Sequence, residues 1–355
     1  MKNVVTAIVA TGLLGIASIS AQAAELGKNF DEILAGAKAE GKLVVWSPLP
    51  AGHEGQQAAL DAFNKRFGLH TEFEWVPLAA AVANTRAFAE AAGGKLSVDI
   101  IGSPISYVVS ARDDKLISPF DWEGVFGKEF PEISKVTGME GFKNLALQFA
   151  RSYYGLAYNT DMMTEAEVPT TLAAMTDPKW SGKFSANASF LVPLDLVSLC
   201  IGEDEALKLV DGLLANQPVL GKGTAAVNQA ISIGQVPFGM TIGMVASGSI
   251  RKGEPLKFVM PTDYITTNDL YAYALNNSPN PNTAHLFLAW YATEGTKVID
   301  PIEPLTGPLD TETEYSQMAR ERIANGAKIC EIKSEADVAA IMKIREEIGK
   351  KLSGQ

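Results

Sequence analysis

Helix and strand patterns alternate along residues 29–101, and this alternation restricts the fold more than any other feature of the chain. Apolar periodicity predicts a helix ending at Gly68, further helices at 29–40 and 78–92, and strands at 42–46, 71–76 and 98–101. Together these elements form a βαβαβ unit, which predicts an α/β fold. Ligands of such folds bind beyond the carboxyl ends of the strands, here at the loops of Ser47 and Ser103.

The same alternation continues through the second half of the chain. Its pattern predicts strands at 150–158, 183–186, 236–242, 256–259 and 270–275, and helices at 194–200, 203–216, 224–233, 283–299 and 336–352. The sequence has no internal repeat and no long low-complexity linker. We therefore expect two α/β halves that are joined by ordered crossovers.

The first 23 residues have the pattern of a secretory signal peptide. Lys2 precedes an apolar run over residues 4–19, and the small-residue pattern Ala21-Gln22-Ala23 suits cleavage before Ala24. A retained membrane anchor is the weaker alternative, because threonine, serine and glycine residues interrupt the run. We expect export to the periplasm and a mature chain of 332 residues (355 − 23), a length typical of two domains.

Charge and cysteine content narrow the possible partners. The chain has 30 basic and 41 acidic side chains, so loss of Lys2 leaves a net charge of about −12 (29 − 41). Such a surface disfavours nucleic acid and anionic membranes. We expect a monomer. Cys200 and Cys330 can pair in an exported chain or remain buried thiols, and the sequence leaves both possibilities open.

Residues 176–183 read TDPKWSGK and have the composition of a capped helical turn. Asp177 suits the cap, Pro178 suits the first helical position, and Gly182 permits the positive φ needed to leave the turn. An ordinary helix-to-strand connector explains each of these residues separately. It does not explain their combination with the Tyr-Asn-Thr sequence at 158–160.

Several short motifs occur in an order that resembles one known family. They are Val44-Val45-Trp46-Ser47, Val98-Asp99-Ile100-Ile101 before Ser103, Tyr158-Asn159-Thr160, residues 177–183, and Asn280-Pro281-Asn282-Thr283-Ala284 with Glu294-Gly295. Over nearly all of the mature chain, their order and spacing resemble the periplasmic solute-binding proteins of ABC importers, in the group that includes ferric-ion-binding proteins. The resemblance implies a type II periplasmic binding protein fold, with two lobes that are each a mixed sheet flanked by helices.

The resemblance also implies how the chain is divided and what it does. One lobe would take residues 24–122 and 260–309, and the other would take 123–259 and 310–355, with one crossing within 151–158. Closure of the lobes would bury a solute in the cleft between them. The protein would then deliver this solute to a permease in the inner membrane.

Ferric-ion transport is the alternative function that the resemblance raises. Ferric members of the group hold iron with two adjacent tyrosines, a histidine and a glutamate. The corresponding strand, residues 238–245, reads FGMTIGMV without a tyrosine, and the loop that would supply the acid reads Gly102-Ser103-Pro104. His53 alone does not make an iron site, because Fe(III) favours several anionic oxygen ligands. We therefore expect no bound metal.

A small oxygen-rich anion suits the predicted cleft better, for example a carboxylate or a phosphate or phosphonate ester. Helix N-termini after Gly52, near Ser189 and near Thr224 would direct N–H groups toward negative charge, and Arg151 would pair with the same group. The predicted ligand-binding residues are Ser47, Pro48, His53, Ser103, Arg151, Tyr153, Ser189, Phe190, Thr224, Tyr264 and Thr266.

Each of these residues also has a simpler explanation. The serines suit turns, the aromatic side chains suit a core, and Arg151 suits a salt bridge that braces the crossover. His53-Glu54 suits the polar start of a helix better than a metal site. His70 and His285 are isolated in the sequence, and we expect both to be structural.

An enzyme is the competing class of protein. The sequence contains no Gly-x-Ser-x-Gly elbow, no His-Glu-x-x-His motif, no phosphate-binding Gly-rich loop and no Cys/His cluster. A hydrolase that uses only carboxylates would leave no such motif and is the remaining catalytic alternative. We expect a binding protein without catalytic residues or a cofactor.

Overall fold

The computed structural model describes residues 25–139, 141–303, 307–309 and 312–354, and the predicted signal peptide lies outside them. The helices are α1 Phe30–Glu40, α2 His53–Phe67, α3 Ala80–Ala92, α4 Ile105–Asp113, α5 Trp122–Phe126, α6 Leu194–Ile201, α7 Glu203–Ala215, α8 Thr224–Ser232, α9 Gly243–Arg251, α10 Pro281–Trp290, α11 Thr296–Ile299, α12 Glu314–Ala324 and α13 Glu335–Ser353. The strands are β1 Lys42–Trp46, β2 Glu72–Val76, β3 Ile100–Pro104, β4 Leu147–Asn159, β5 Phe184–Asn187, β6 Val219–Gly221, β7 Phe238–Ile242, β8 Leu256–Val259, β9 Tyr264–Ala274 and β10 Lys328–Cys330.

The strands join in one hydrogen-bonded order, β2-β1-β3-β9-β4-β7-β5-β6, with β10 beside β9 and β8 beside β4. β1 is parallel to β2 and β3, and β5 is parallel to β6 and β7. β4 and β9 run antiparallel to each other and carry the chain between these two groups. We call the part built on β1–β3 the first lobe and the part built on β5–β8 the second lobe. The α/β fold with two lobes is thus confirmed.

The chain passes between the lobes in the middle of β4. Tyr153 is the last residue of β4 that pairs with β9, opposite Thr267, and Tyr154 is the first that pairs with β7, opposite Ile242. The change of partner falls inside residues 151–158, where the sequence places a crossing. Side chains near this point therefore lie between the two lobes.

Aromatic packing favours one change to the predicted division of the chain. Trp122, Phe126 and Phe130 are buried in the same core as Ile33 and Phe63 of the first lobe. The predicted boundary gives residues from 123 onwards to the second lobe, whereas these contacts favour the first lobe up to the crossing in β4. The lobe boundaries themselves remain a prediction.

Helix α13 contacts both lobes, although the prediction assigns it to the second. Val338 is buried in a first-lobe core, whereas Ile344 and Ile348 are buried in a second-lobe core. Near the start of the helix, Glu335 forms an ion pair with Arg112 of α4. The last helix therefore spans the gap between the lobes on the side of α4 and α6.

The turn predicted at residues 176–183 forms as expected. The side chain of Asp177 accepts a hydrogen bond from the backbone N–H of Lys179 at 2.9 Å, Pro178 opens a single helical turn, and Gly182 has φ +69°. The indole of Trp180 packs edge-on against Phe238, with ring centroids 5.0 Å apart. The segment thus anchors the second lobe.

A disulfide bond joins Cys200 at the end of α6 to Cys330 of β10, with Cα atoms 5.6 Å apart. The sequence left this pairing open. Because β10 is hydrogen-bonded to the first residues of β9, the bond ties α6 to the strand that returns to the first lobe.

Two predicted elements differ from the structure. The helix predicted at 283–299 is interrupted by a π-helical turn, Tyr291–Gly295, in which a Cβ on Gly295 would lie 2.7 Å from the Trp290 ring. The strand predicted at 270–275 begins earlier, at Tyr264. Its first residues are stabilised by pairing with β10, a contact that local sequence patterns do not report.

Candidate functional site

The two first-lobe serines of the predicted site are buried and hydrogen-bonded within their own lobe. The hydroxyl of Ser47 donates to the carbonyl of Leu49 at 2.8 Å, which is a turn contact. Ser103 has no exposed surface, and its hydroxyl lies 3.4 Å from the phenol oxygen of Tyr273. Both hydroxyls therefore have the structural role that was the simpler alternative.

A carboxylate of the chain itself occupies the N-terminus of α2. Backbone N–H groups of Ala51 and Gly52 donate to Glu303 at 2.8 and 2.5 Å. The anion position predicted after Gly52 is thus filled by Glu303. His53 is exposed at the first position of the helix, and Pro48 is half-buried in the loop before it.

Arg151 is paired with two carboxylates of the chain. Its Nε and Nη2 donate to the two oxygens of Asp269 at 2.9 and 2.8 Å, and Nη2 lies 3.4 Å from Glu331. Burial alone lowers the pKa of Arg151, but the hydrogen bond and charge of Asp269 raise it above its usual range. In this structure Arg151 therefore forms a salt bridge across β4 and β9, which is the simpler of the two roles predicted for it.

Most second-lobe candidates do not converge on one point. Tyr153 and Tyr264 pack with the cores, and Thr266 is buried on β9 opposite Cys330. Ser189 is exposed, with its N–H donating to Asn187, and Thr224 is half-buried at the start of α8. Of the predicted set, Phe190 is the residue that lines a cavity between the lobes.

Two cavities have Arg345 in their lining, and we call them the outer and the inner chamber and, together, the interlobe pocket. The outer chamber has a volume of about 530 Å³ and lies between α4 of the first lobe and α13 of the second. Ser106, Tyr107 and Ser110 of α4 line one side of it. Phe190 and Arg345 are among the residues that line the other.

The inner chamber lies deeper, against the crossing strands, and has a volume of about 50 Å³. Its polar lining includes Tyr154, Thr267, Asn268 and Arg345. Burial, and secondarily the negative charge of Asp195, raise the pKa of Tyr154 well above its usual range. This phenol therefore remains neutral and can donate a hydrogen bond, and its oxygen lies 3.4 Å from Oδ1 of Asn268.

Arg345 is the fixed cation of the interlobe pocket. Its Nε donates to Oδ2 of Asp195 at 2.7 Å, and Asp195 has no exposed surface. The guanidinium also lies over the ring of Phe190, 5.1 Å from its centroid. Among the described residues, its two Nη groups have no hydrogen-bond partner. A guanidinium held in this way presents two donors to an anion.

The sequence analysis did not select Arg345 or Tyr107. Arg345 stands in the charged C-terminal helix, where a basic residue usually belongs to a solvated face. One signal was present: Arg345 directly follows Ile344, which is on the apolar side of the helix. Tyr107 lies on α4, which the patterns did not predict as a helix.

Metal binding and membrane insertion gain no support from the part of the chain that the structure describes. That part contains no group of three or more His, Cys, Asp and Glu side chains placed to hold a metal ion. The segment that was compared with the iron-binding tyrosines comprises β7 and the start of α9. There, Met244 packs against the first-lobe core, and its N–H donates to Ser152 at 3.1 Å. None of the described helices combines the length and apolar character needed to span a membrane.

Two lobes joined by crossing strands, with a pocket between them, define a two-lobed binding protein. Residues 58–297, more than half of the chain, match the family model of bacterial extracellular solute-binding proteins. The chain belongs to this family, whose members are solute-binding proteins and not enzymes, as the sequence analysis predicted. Among curated proteins, none matches the sequence.

Solved structures of substrate-binding proteins share the fold at low sequence identity. The substrate-binding protein of an ABC transporter from Agrobacterium tumefaciens is 15% identical, with a TM-score of 0.70 over 89% of this chain and 96% of that chain. Iron-bound HitA from Pseudomonas aeruginosa is 17% identical, with a TM-score of 0.65 over 87% and 99%. AfuA from Actinobacillus pleuropneumoniae, with fructose-6-phosphate bound, is 16% identical, with a TM-score of 0.65 over 88% and 97%.

Proposed function

We propose that this protein is the substrate-binding component of an ABC importer and that it captures a small organic anion in the interlobe pocket. The anion would carry a carboxylate or a phosphate or phosphonate group. Closure of the lobes would bury it, and the closed protein would deliver it to a permease in the inner membrane. Export through the signal peptide at residues 1–23, a periplasmic location and a monomeric state belong to the same proposal.

The observation that carries the proposal is the placement of Arg345. Its side chain lines both chambers, is held by buried Asp195, and is only 24% exposed. A partly desolvated guanidinium binds a planar or tetrahedral oxyanion through two parallel hydrogen bonds. Because Arg345 approaches from α13 and Tyr107 from α4, a solute that fills the pocket would contact both lobes.

The structural relatives include proteins solved with a metal and proteins solved with an organic anion. AfuA was solved with fructose-6-phosphate, which carries an anionic group, and HitA was solved with iron. The residues that the structure describes contain no group of three or more His, Cys, Asp and Glu side chains that could hold iron. The proposed site differs from the predicted one, because the cation is Arg345 and Arg151 is used in a salt bridge.

Three experiments test the proposal. Native mass spectrometry of freshly purified protein would identify a co-purified solute, and a thermal-shift screen with carboxylates and phosphate esters would show which of them stabilise the protein. Calorimetry would then compare the wild type with Arg345→Lys, which keeps the charge beside Asp195 but loses the two-pronged donor. We expect affinity to fall at least about tenfold.

The matched control is Arg86→Lys, which makes the same exchange at an arginine of α3 outside the pocket lining. Arg86 is 53% exposed and pairs with Glu90. Its replacement should leave affinity unchanged. Equal affinities of wild type and Arg345→Lys for the same anion would refute the proposed site.

A further inference from the structure

We infer that the solute has two parts, an anionic group of about carboxylate size that enters the inner chamber and a ring that lies in the outer chamber. This inference rests on the proposed function and specifies the class of its solute as cyclic organic acids. It follows from the unequal size and different lining of the two chambers, and from the presence of Arg345 in the lining of both.

The size difference fixes the orientation of the solute. The inner chamber, at about 50 Å³, has room for little more than a carboxylate. Its polar lining includes Tyr154, Thr267, Asn268 and also Asp269, whose two carboxylate oxygens accept hydrogen bonds from Arg151. The outer chamber, at about 530 Å³, falls within the range of ordinary ligand sites. Because Arg345 lines both chambers, an anionic group in the inner chamber and a larger body in the outer one would both lie beside its side chain.

The wall of the outer chamber suits a ring. Tyr107 projects from α4 of the first lobe, and Phe190 from the loop after β5 of the second, and neither ring is fully buried in the core of its lobe. Met342, which also lines this chamber, is 54% exposed and adds a flexible apolar side chain to the wall. Aromatic and thioether side chains from opposite sides favour a flat or ring-shaped body through stacking and apolar contact.

Small acids with one head group and different bodies test this inference directly. Calorimetry or ligand-observed NMR would compare acetate, cyclohexanecarboxylate and benzoate on the full-length mature protein. We expect the two ring acids to bind at least about tenfold more tightly than acetate, since burying several ring carbons adds to the head-group contact. The wild type should show this difference in affinity between the ring acids and acetate, and the difference should depend on Tyr107.

Tyr107→Ala is the variant to use, because Phe190 also supports the guanidinium of Arg345. We expect this change to remove most of the advantage of the ring acids and to leave acetate binding unchanged. Phe88→Ala is the matched control, since Phe88 is an aromatic residue of α3 that is 49% exposed and lies outside the pocket lining. It should leave all three affinities unchanged.

The outcomes separate this inference from the proposed function. If acetate and the ring acids bind equally and all depend on Arg345, the anion site stands and the ring is refuted. If Tyr107→Ala lowers the affinity for acetate as much as the affinity for benzoate, Tyr107 does not contact the ring of the solute selectively, and the inference fails. If no carboxylate binds the wild type, both this inference and the proposal of a carboxylate solute are wrong.

Discussion

The Nε of Arg345 lies 2.7 Å from Oδ2 of Asp195, so a fully buried carboxylate on α6 sets the direction of a guanidinium carried by α13. The ion pair joins two helices of the second lobe and leaves the Nη groups facing the interlobe pocket. The same side chain therefore contributes to stability and, in the proposed function, to solute binding. The two effects separate in variants that keep or remove the positive charge.

Arg345→Ala should lower the free energy of unfolding by about 2 to 3 kcal/mol, because it leaves the Asp195 carboxylate buried without its counter-charge. Urea denaturation of the mature protein measures this loss. In the double variant with Asp195→Ala, no unpaired charge remains, so we expect part of the stability to return. Strictly additive losses would show that the two side chains are not coupled.

Arg151→Ala should also reduce stability, by about 2 kcal/mol, because Asp269 and Glu331 lose a partly buried partner at the crossover. Solute affinity should change much less than in Arg345→Lys, since Arg151 already donates to Asp269 through two nitrogens. Parallel denaturation and calorimetry of the two variants make the comparison. A larger loss of affinity in Arg151→Ala than in Arg345→Lys would indicate that Arg151 belongs to the solute-binding site.

Removal of the disulfide should destabilise the protein strongly. The bond links residues 130 positions apart, and closing a loop of that length in the unfolded chain corresponds to about 5 kcal/mol. The Cys200→Ser/Cys330→Ser variant should therefore unfold at a markedly lower denaturant concentration than the oxidised wild type. Treatment of the double variant with reductant should have no further effect, and any additional loss would point to a different cause.

Stability should decrease between pH 7.5 and pH 5 through His285. Burial lowers the pKa of this imidazole from its ordinary 6.5 to about 4, whereas its hydrogen bond with the carbonyl of Pro281 acts in the opposite direction. The unfolded chain then binds a proton that the folded protein does not, so stability is lost as pH falls below about 6.5. The expected loss is about 2 kcal/mol at pH 5.

Urea midpoints measured across this pH range test the assignment, and His285→Gln provides the control. The variant should lose most of this pH dependence, although it will be less stable at every pH because Phe120 and Trp122 pack against the imidazole. An unchanged slope in the variant would assign the pH dependence to other groups.

The first lobe was largely predictable because its signals are local. β1 has the predicted bounds, and α2 ends at Gly68, which adopts a left-handed conformation as a C-cap glycine should. Asp177 and Gly182 form the predicted turn for the same reason, since cap and turn chemistry depend on neighbouring residues. Such features need no knowledge of the rest of the fold.

The candidate site was harder to predict because it depends on contacts between distant segments. Ser47 and Ser103 stand at the ends of strands, as expected, but their hydroxyls bond within the first lobe. Arg151 was identified as a pairing residue, but its partner Asp269 lies 118 residues away. The partner of Arg345 lies 150 residues away, so no local pattern shows that it faces a cavity.

The packing of α13 has a mechanical consequence for the transport cycle. Strands β4 and β9 connect the lobes covalently, whereas α13 adds a contact that can be broken, through Val338 and the pair of Glu335 with Arg112. Separation of the lobes must break this contact or pull the first turns of α13 away from its later turns. In the proposed transport cycle, opening of the lobes would therefore act on one end of the helix whose middle carries Arg345. Loss of the contact made by Val338 and Glu335 would then be mechanically linked to release of the solute.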